Sequence, residues 1–448
     1  MNKKTLIILA LAVSIGIGAI YITSDTQSDT QSDTQSDTQS DTQSDTQSDT
    51  QSTMFADGFE PVKADLIKNA TIPASIAKAN NEFTIDFYKQ ISNDTDNHFF
   101  SPLSIYTAFS ILYEGARENT AQELADTFGF ETDDIIRHND TAQMISSINR
   151  NDTHATLALA NALWLADGFS PSESYLGIAH ETYEATTKTV DFTNTTDSVD
   201  RINTWAADNT NNKITEVITS DDVDDLTAMV INNAIYFKGT WLTQFQPEFT
   251  RESDFWISET SNVTTDFMYT QSYFDYTKSD GAQVLKMPYE GDRLSMLVIL
   301  PDERHGIKQL EENLSAEQIE KWRHELHSTD VSISMPKFKM NTNYNLIPPL
   351  HDLGISDVFR SGLSDLSGIA DVDPGYLFVT SATQAAFVDV NEEGTEAAAV
   401  TTVIVVIESA PPPPEYFIAD HPFLFIIQDD ESGTILFMGR MYDPTMTK

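Results

Sequence analysis

The sequence predicts an α+β fold, and three observations point to it. Apolar residues recur at helical spacing in the first part of the globular region. Apolar and β-branched runs of strand character fill the remainder. Helices and strands are therefore grouped, which argues against alternating strand–helix–strand units.

The chain opens with a basic "MNKK". Thr5 to Ile22 follows, about 18 largely apolar residues, long for a signal-peptide core and just sufficient to cross a bilayer. Gly16 and Gly18 offer only a weak cleavage pattern, and the leading lysines suit a cytoplasmic N-terminus. Residues 1–23 read as a signal peptide or an N-terminal membrane anchor. The protein is expected to be extracellular or anchored at the cell surface, with membrane contact only through this segment. From Ser24 to Gln51 the tetrapeptide SDTQ repeats seven times without an apolar residue. Such a segment cannot bury enough surface to fold, so 24–53 reads as a disordered, hydrated stalk. Residues 54–448 have the composition of one globular domain of roughly 390 residues.

The domain's elements follow in order. "SIAKANNEFTIDFYKQI" carries Ile76, Ala79, Phe83, Ile85, Phe87 and Ile91 near helical spacing. "SPLSIYTAFSILYEGA" is a helix with Ser101 as its cap, Pro102 at the first helical position and an end near Gly115. In "TAQELADTFGF", Thr120 and Glu123 have capping-box spacing. Strand character then dominates: "ATLALANALWLA", "AMVINNAIYFKGTW", "AQVLKMPYE", "LSMLVILP" and "VSISMPKFKM". The C-terminus reads as two apolar strands around a polar turn at Asp429 to Gly433.

Composition narrows the function. The chain has 69 acidic against 26 basic residues, a formal net charge of −43. That balance excludes nucleic acid, which needs clustered Lys and Arg. There is no cysteine, hence no disulfide, thiolate metal site or cysteine nucleophile. No G-x-S-x-G, H-E-x-x-H or P-loop motif occurs, and no cofactor is expected. "HELH" puts His324 and His327 three apart on an expected helix, but no third ligand is indicated, so no metal site is assigned. "DVDPG" at Asp371 to Gly375 lacks the terminal Glu of a calcium loop and reads as a turn.

The stretch "NEEGTEAAAVTTVIVVIESAPPPPE", from Asn391 to Glu415, is unusual. Its β-branched run ends at four prolines. Either it is a permanent core strand, or it is a loop that becomes a strand later. Gly394 permits a sharp bend. Thr395, Ala397, Ala399, Thr401, Val403 and Val405 would share one face of an extended chain, with Glu396, Ala398, Val400, Thr402, Ile404 and Val406 on the other. No proline interrupts Gly394 to Glu408, so no ladder N–H is missing. Fourteen such residues span about 46 Å. The prolines Pro411 to Pro414 add a stiff arm of about 12 Å.

The domain resembles a serpin across essentially its whole length. The resemblance rests on "FFSPLSIYTAFSILYEGARENTAQEL", "ALANALW", "INNAIYFKGTW", "KMPYEGDRLSMLVILP", "SMPKFKMNTNYNL", "FVDVNEEGTEAAA" and "ADHPFLFIIQDDESGTILFMGR", in the family's order. It implies three β-sheets, eight or nine helices and an exposed reactive-centre loop. Glu392, Glu393, Gly394, Thr395, Glu396, Ala397, Ala398 and Ala399 match the hinge of inhibitory members. Non-inhibitory members tend to carry bulky, charged or proline residues there. By family spacing the scissile bond is Glu408–Ser409, which implies a protease with an acid-preferring pocket. A slip of one position offers Ile407, suited to an elastase- or subtilisin-like pocket. Ser101, Ser104, Asn233 and Gln384 map to the region where the sheet opens, with Trp241 near its mouth. Gln384 stands where the family usually has histidine. It keeps donor and acceptor capacity but removes a titration near neutrality. The resemblance implies a monomeric suicide inhibitor of serine proteases, without catalytic residues of its own. A non-inhibitory serpin acting as an extracellular binding or surface protein is the alternative.

Overall fold

The structure is a computed structural model, and it describes residues 70–92, 95–149, 155–395 and 413–446. The leader over 1–23 and the repeat over 24–53 lie outside the described residues. So do Glu396, Ala397, Ala398, Ala399, Ile407, Glu408 and Ser409.

Among the described residues there are nine α-helices: α1 (Ala74–Ile91), α2 (Pro102–Gly115), α3 (Glu118–Phe128), α4 (Asp134–Ile148), α5 (Glu173–Glu181), α6 (Thr195–Asn209), α7 (Ile307–Glu312), α8 (Ala316–Glu325) and α9 (Ile347–Asp352). The strands are β1 (His98–Phe100), β2 (Ala155–Ala166), β3 (Thr186–Val190), β4 (Met229–Thr240), β5 (Arg251–Trp256), β6 (Asn262–Ser279), β7 (Ala282–Pro288) and β8 (Leu294–Pro301). They continue with β9 (His327–Pro336), β10 (Phe338–Asn345), β11 (Ser381–Val390), β12 (Gly394–Thr395), β13 (Glu415–Ile418), β14 (Phe423–Asp429) and β15 (Ile435–Met441). The α+β grouping holds: four helices precede the first long strand, β2.

A six-stranded sheet runs β10-β11-β12-β4-β2-β3. A nine-stranded sheet runs β1-β15-β14-β8-β7-β6-β9-β13, with β5 on β6. The implied three-sheet layout is present with its last two sheets fused. The 18-residue β6 causes this, since its first part pairs with β5, its middle with β9 and its end with β7. The main core packs α2 against strands of both sheets and α1 against α2 and β15. A smaller core lies under α6, where Trp164 and Trp205 meet edge to face at 6.0 Å.

Helix α2 forms as its sequence predicts. The Ser101 hydroxyl accepts from the Ser104 N–H, Pro102 opens the helix, and Ala116 leaves it in extended conformation. It is apolar nearly all round and almost wholly buried, as befits a central helix. Helix α3 differs from expectation. It starts at Glu118, so Thr120 and Glu123 are not its capping box. They cap a distant loop instead: Thr120 Oγ1 accepts from Asp365 N, and Glu123 Oε2 accepts from Ser356 N and Asp357 N. The "HELH" residues also divide, because α8 ends at Glu325 and His327 begins β9. His324 faces Glu320 at 3.1 Å, and no group of three metal-binding side chains exists among the described residues. "VSISMPKFKM" is two strands in two sheets, β9 ending at Pro336 and β10 beginning at Phe338. The polar turn closes as read, Gly433 N donating to Asp429 O at 2.9 Å.

Candidate functional site

The site is a seam in the six-stranded sheet. Strands β4 and β11 pair in parallel from Ser381↔Val230 to Phe387↔Tyr236. Beyond Tyr236 they part, and β12 fills the gap. Gly394 pairs with Thr240, and Thr395 pairs with both Gly239 and Val390. The hinge therefore enters the sheet for two residues, over a seam that is closed below.

Each described hinge residue, Glu392 to Thr395, is held. A Cβ on Gly394 would lie 2.1 Å from the Gly239 carbonyl oxygen, so only glycine fits this approach. Thr395 is fully buried, its hydroxyl 2.8 Å from the Tyr289 hydroxyl. Burial pushes the Tyr289 phenol up, so it stays protonated as a hydrogen-bonding partner. Glu393 O accepts from Trp241 N at 3.0 Å, and Asn391 O accepts from Trp241 Nε1 at 3.0 Å. The Trp241 indole stacks on Tyr289 with centroids 4.4 Å apart. Trp241 thus sits at the mouth of the seam. The Glu392 carboxylate meets Lys337 Nζ at 2.9 Å and accepts from Thr250 Oγ1 at 2.7 Å. Burial works against that charge, but these partners outweigh it and hold the carboxyl below its ordinary range. A cavity of about 560 Å³ opens beside it, lined by Lys337, Lys339, Asp389 and Glu393 among others.

Lower down, Ser101, Ser104, Asn233 and Gln384 come together, all fully buried. Gln384 faces Asn233 directly across the seam. Its amide donates to Asn233 Oδ1 and to Ser101 O, both at 2.8 Å, and accepts from Ser101 N at 3.1 Å. All its hydrogens are used. The Asn233 amide donates to Asn161 Oδ1 at 2.6 Å and Ser104 O at 3.0 Å, with the Ser104 hydroxyl beside it. Ser101 Oγ donates to Leu436 O at 2.6 Å, tying the seam to β15. The contacts that hold β4 to β11 are therefore directional hydrogen bonds and not apolar packing alone.

The five residues assigned to the opening region fall at one seam. Sequence reasoning missed Asn161, Tyr289, Lys337 and Thr250. Asn161 left a signal, a lone amide within the apolar β2. Tyr289, Lys337 and Thr250 left none, because their partners lie 106, 55 and 142 residues away.

The seam is thus closed over seven paired positions and parted at one end by the two residues of β12. The family model for Serpin (serine protease inhibitor) matches residues 78–444, and the chain belongs to that family. It is 36% identical over 380 residues to leukocyte elastase inhibitor of Homo sapiens, covering 82% of this chain and 99% of that protein. Among solved structures, Serpin48, a highly specific serpin of the insect Tenebrio molitor, is 32% identical with TM-score 0.74, covering 82% of this chain and 98% of the other. Human thyroxine-binding globulin is 28% identical with TM-score 0.76, covering 83% of this chain and 99% of the other.

Proposed function

We propose that this protein is an irreversible inhibitor of serine endopeptidases, with Glu408–Ser409 as its bait bond. The protease serine attacks the Glu408 carbonyl and forms an acyl-enzyme. The freed loop then enters the seam and carries the protease with it. The triad and oxyanion hole need placement to within about an ångström, so distortion stops deacylation. Leader and stalk suit a protein working outside the cell or tethered to its surface.

The observation that carries this reading is the register of β12. Extending it along β4 from Thr395↔Gly239 sets Ala397 against Phe237, Ala399 against Ile235, Val403 against Ile231 and Val405 against Met229. Those β4 partners line the main core, so the loop face that carries Thr395 meets apolar neighbours. Glu396 falls opposite Lys238. Extended along both strands, the register sets Thr401 between Asn233 and Gln384. Insertion then exchanges the Gln384–Asn233 bond for bonds to a threonine. Small residues lead, and each later β-branched side chain gains on the order of 1.5–3 kcal/mol on burial.

Incubation with a glutamate-specific serine protease tests the reading. An SDS-resistant band of summed mass supports it. Clean cleavage at 396–412 without that band, by this enzyme and by elastase and subtilisin, favours the non-inhibitory alternative of a binding or surface protein.

A further inference from the structure

Away from the seam, a cavity of about 290 Å³ is bounded by the turn from β6 to β7, the chain that leaves β8, and the helices α7 and α8. Its buried lining is apolar: Pro301, Leu310 and Trp322. One atom there is out of keeping. Trp322 is 2% exposed, and its indole N–H meets no acceptor among the described residues. Buried donors are nearly always paired, so an unpaired one in a cavity wall calls for an acceptor.

The polar residues of the same cavity have the opposite need. Asp280 spends Oδ2 on Lys321 Nζ at 2.6 Å and on Gln318 Nε2 at 2.9 Å. Asp302 spends Oδ1 on Lys278 Nζ at 3.0 Å. Asn313, which caps the end of α7, gives its amide hydrogen to Gln309 O at 2.9 Å. The other carboxylate oxygens of Asp280 and Asp302 and the amide oxygens of Asn313 and Gln318 accept from no described residue. The cavity therefore presents free acceptors together with one free donor. The two lysines offset the charges of Asp280 and Asp302, leaving Glu303 as the lining carboxylate outside these pairs. A cation would suit the acceptors but not the indole N–H, and an anion the reverse. A hydroxyl both accepts and donates without charge, so it suits both. The volume is the room of roughly ten waters at about 30 Å³ each, the scale of one sugar ring.

We infer that this cavity binds a neutral, monosaccharide-sized polyol. One of its oxygens accepts from Trp322 Nε1, and its other hydroxyls donate to Asp280, Asp302, Asn313 and Gln318. The site does not depend on the inhibitory reading. Titration calorimetry on the full chain tests it with glucose, galactose, mannose, N-acetylglucosamine and myo-inositol, beside putrescine as a cation and acetate as an anion. The expected result is a Kd of about 1 mM or below for at least one of the five polyols. An Asp302→Ala/Asn313→Ala variant, altered only at exposed side chains, should weaken that binding by about tenfold or more with the melting temperature unchanged. Trp322→Phe keeps a ring in the wall but removes the N–H, and should weaken it likewise. Absence of binding by every polyol up to about 10 mM would overturn the site. So would polyol binding that the Asp302→Ala/Asn313→Ala variant leaves intact, or binding of putrescine or acetate alone.

Discussion

Gln384 shows how much a single side chain holds at the seam. It spends two hydrogens and one oxygen on Ser101 and Asn233, in a place that water does not reach. Gln384→Ala leaves the Ser101 N–H and Asn233 Oδ1 short of partners in a buried setting, at a cost of about 2–4 kcal/mol. The expected result is a lower melting temperature, with faster loss of inhibitory activity on storage as the uncut loop inserts, followed by timed titration against protease. At the hinge, Thr395→Arg places a charge where Thr395 now meets Tyr289. The variant should be cleaved as a substrate, its SDS-resistant fraction falling by about tenfold or more because a buried unpaired charge is so costly. Inhibition at the parent level would show that Thr395 need not enter the sheet. Local features were legible in the sequence at this scale. The Ser101 cap with Pro102 was plain because its partner, Ser104, is three residues on. Tyr289 and Lys337 were not, since strand pairing alone brings them to the hinge.

At the scale of elements, the strands were legible where one apolar run serves one sheet. β2 spans the whole of the predicted "ATLALANALWLA". Sequence pattern fails where the chain changes sheets without changing character, as between Pro336 and Phe338. It also fails for β12, since a two-residue strand has no periodicity to read. The helices depend on one ionic junction that the sequence did not reveal. Glu114, at the end of α2, accepts from Arg137 Nε and Nη2 at 2.9 Å and from Tyr183 OH at 2.6 Å, and meets His138 Nε2 at 2.8 Å. Burial opposes its charge, but hydrogen bonds from Arg137 and His138 outweigh that and hold its pKa at about 2, below the usual 4.5. A depressed carboxyl pKa stabilises the fold above about pH 4.5, and the contribution, on the order of 3 kcal/mol, is lost as pH falls toward 2. Glu114→Gln should destabilise the protein by about 3 kcal/mol at neutral pH, because buried Arg137 loses its bidentate anion and keeps only the exposed Asp134. It should also flatten the acid limb of stability between pH 4.5 and 2. Urea melts across that range check both. An unchanged acid limb would remove Glu114 as its source.

At the scale of the molecule, the six-stranded sheet is continuous over the described residues. β4 and β11 pair directly over seven positions, while β12 already holds the first two positions of a strand that would part them. In the proposed mechanism the intact loop is held out because it must also return to β13, which pairs in parallel with β9. On that proposal, cutting the loop removes the tether. The family could be read from the sequence because its motifs run in order over most of the domain. The closed state of the seam could not, because it depends on which strands pair and not on what each strand is.

The central claim is that the severed loop becomes a strand between β4 and β11, and the thermal stability of the nicked protein tests it most directly. Complete cleavage within 396–412, followed by scanning calorimetry beside uncut protein at one scan rate, should show the transition raised by more than about 10 °C, since each kcal/mol moves a domain of this size by only a few degrees. An unchanged or lowered transition in fully nicked protein would contradict insertion and the trapping mechanism with it.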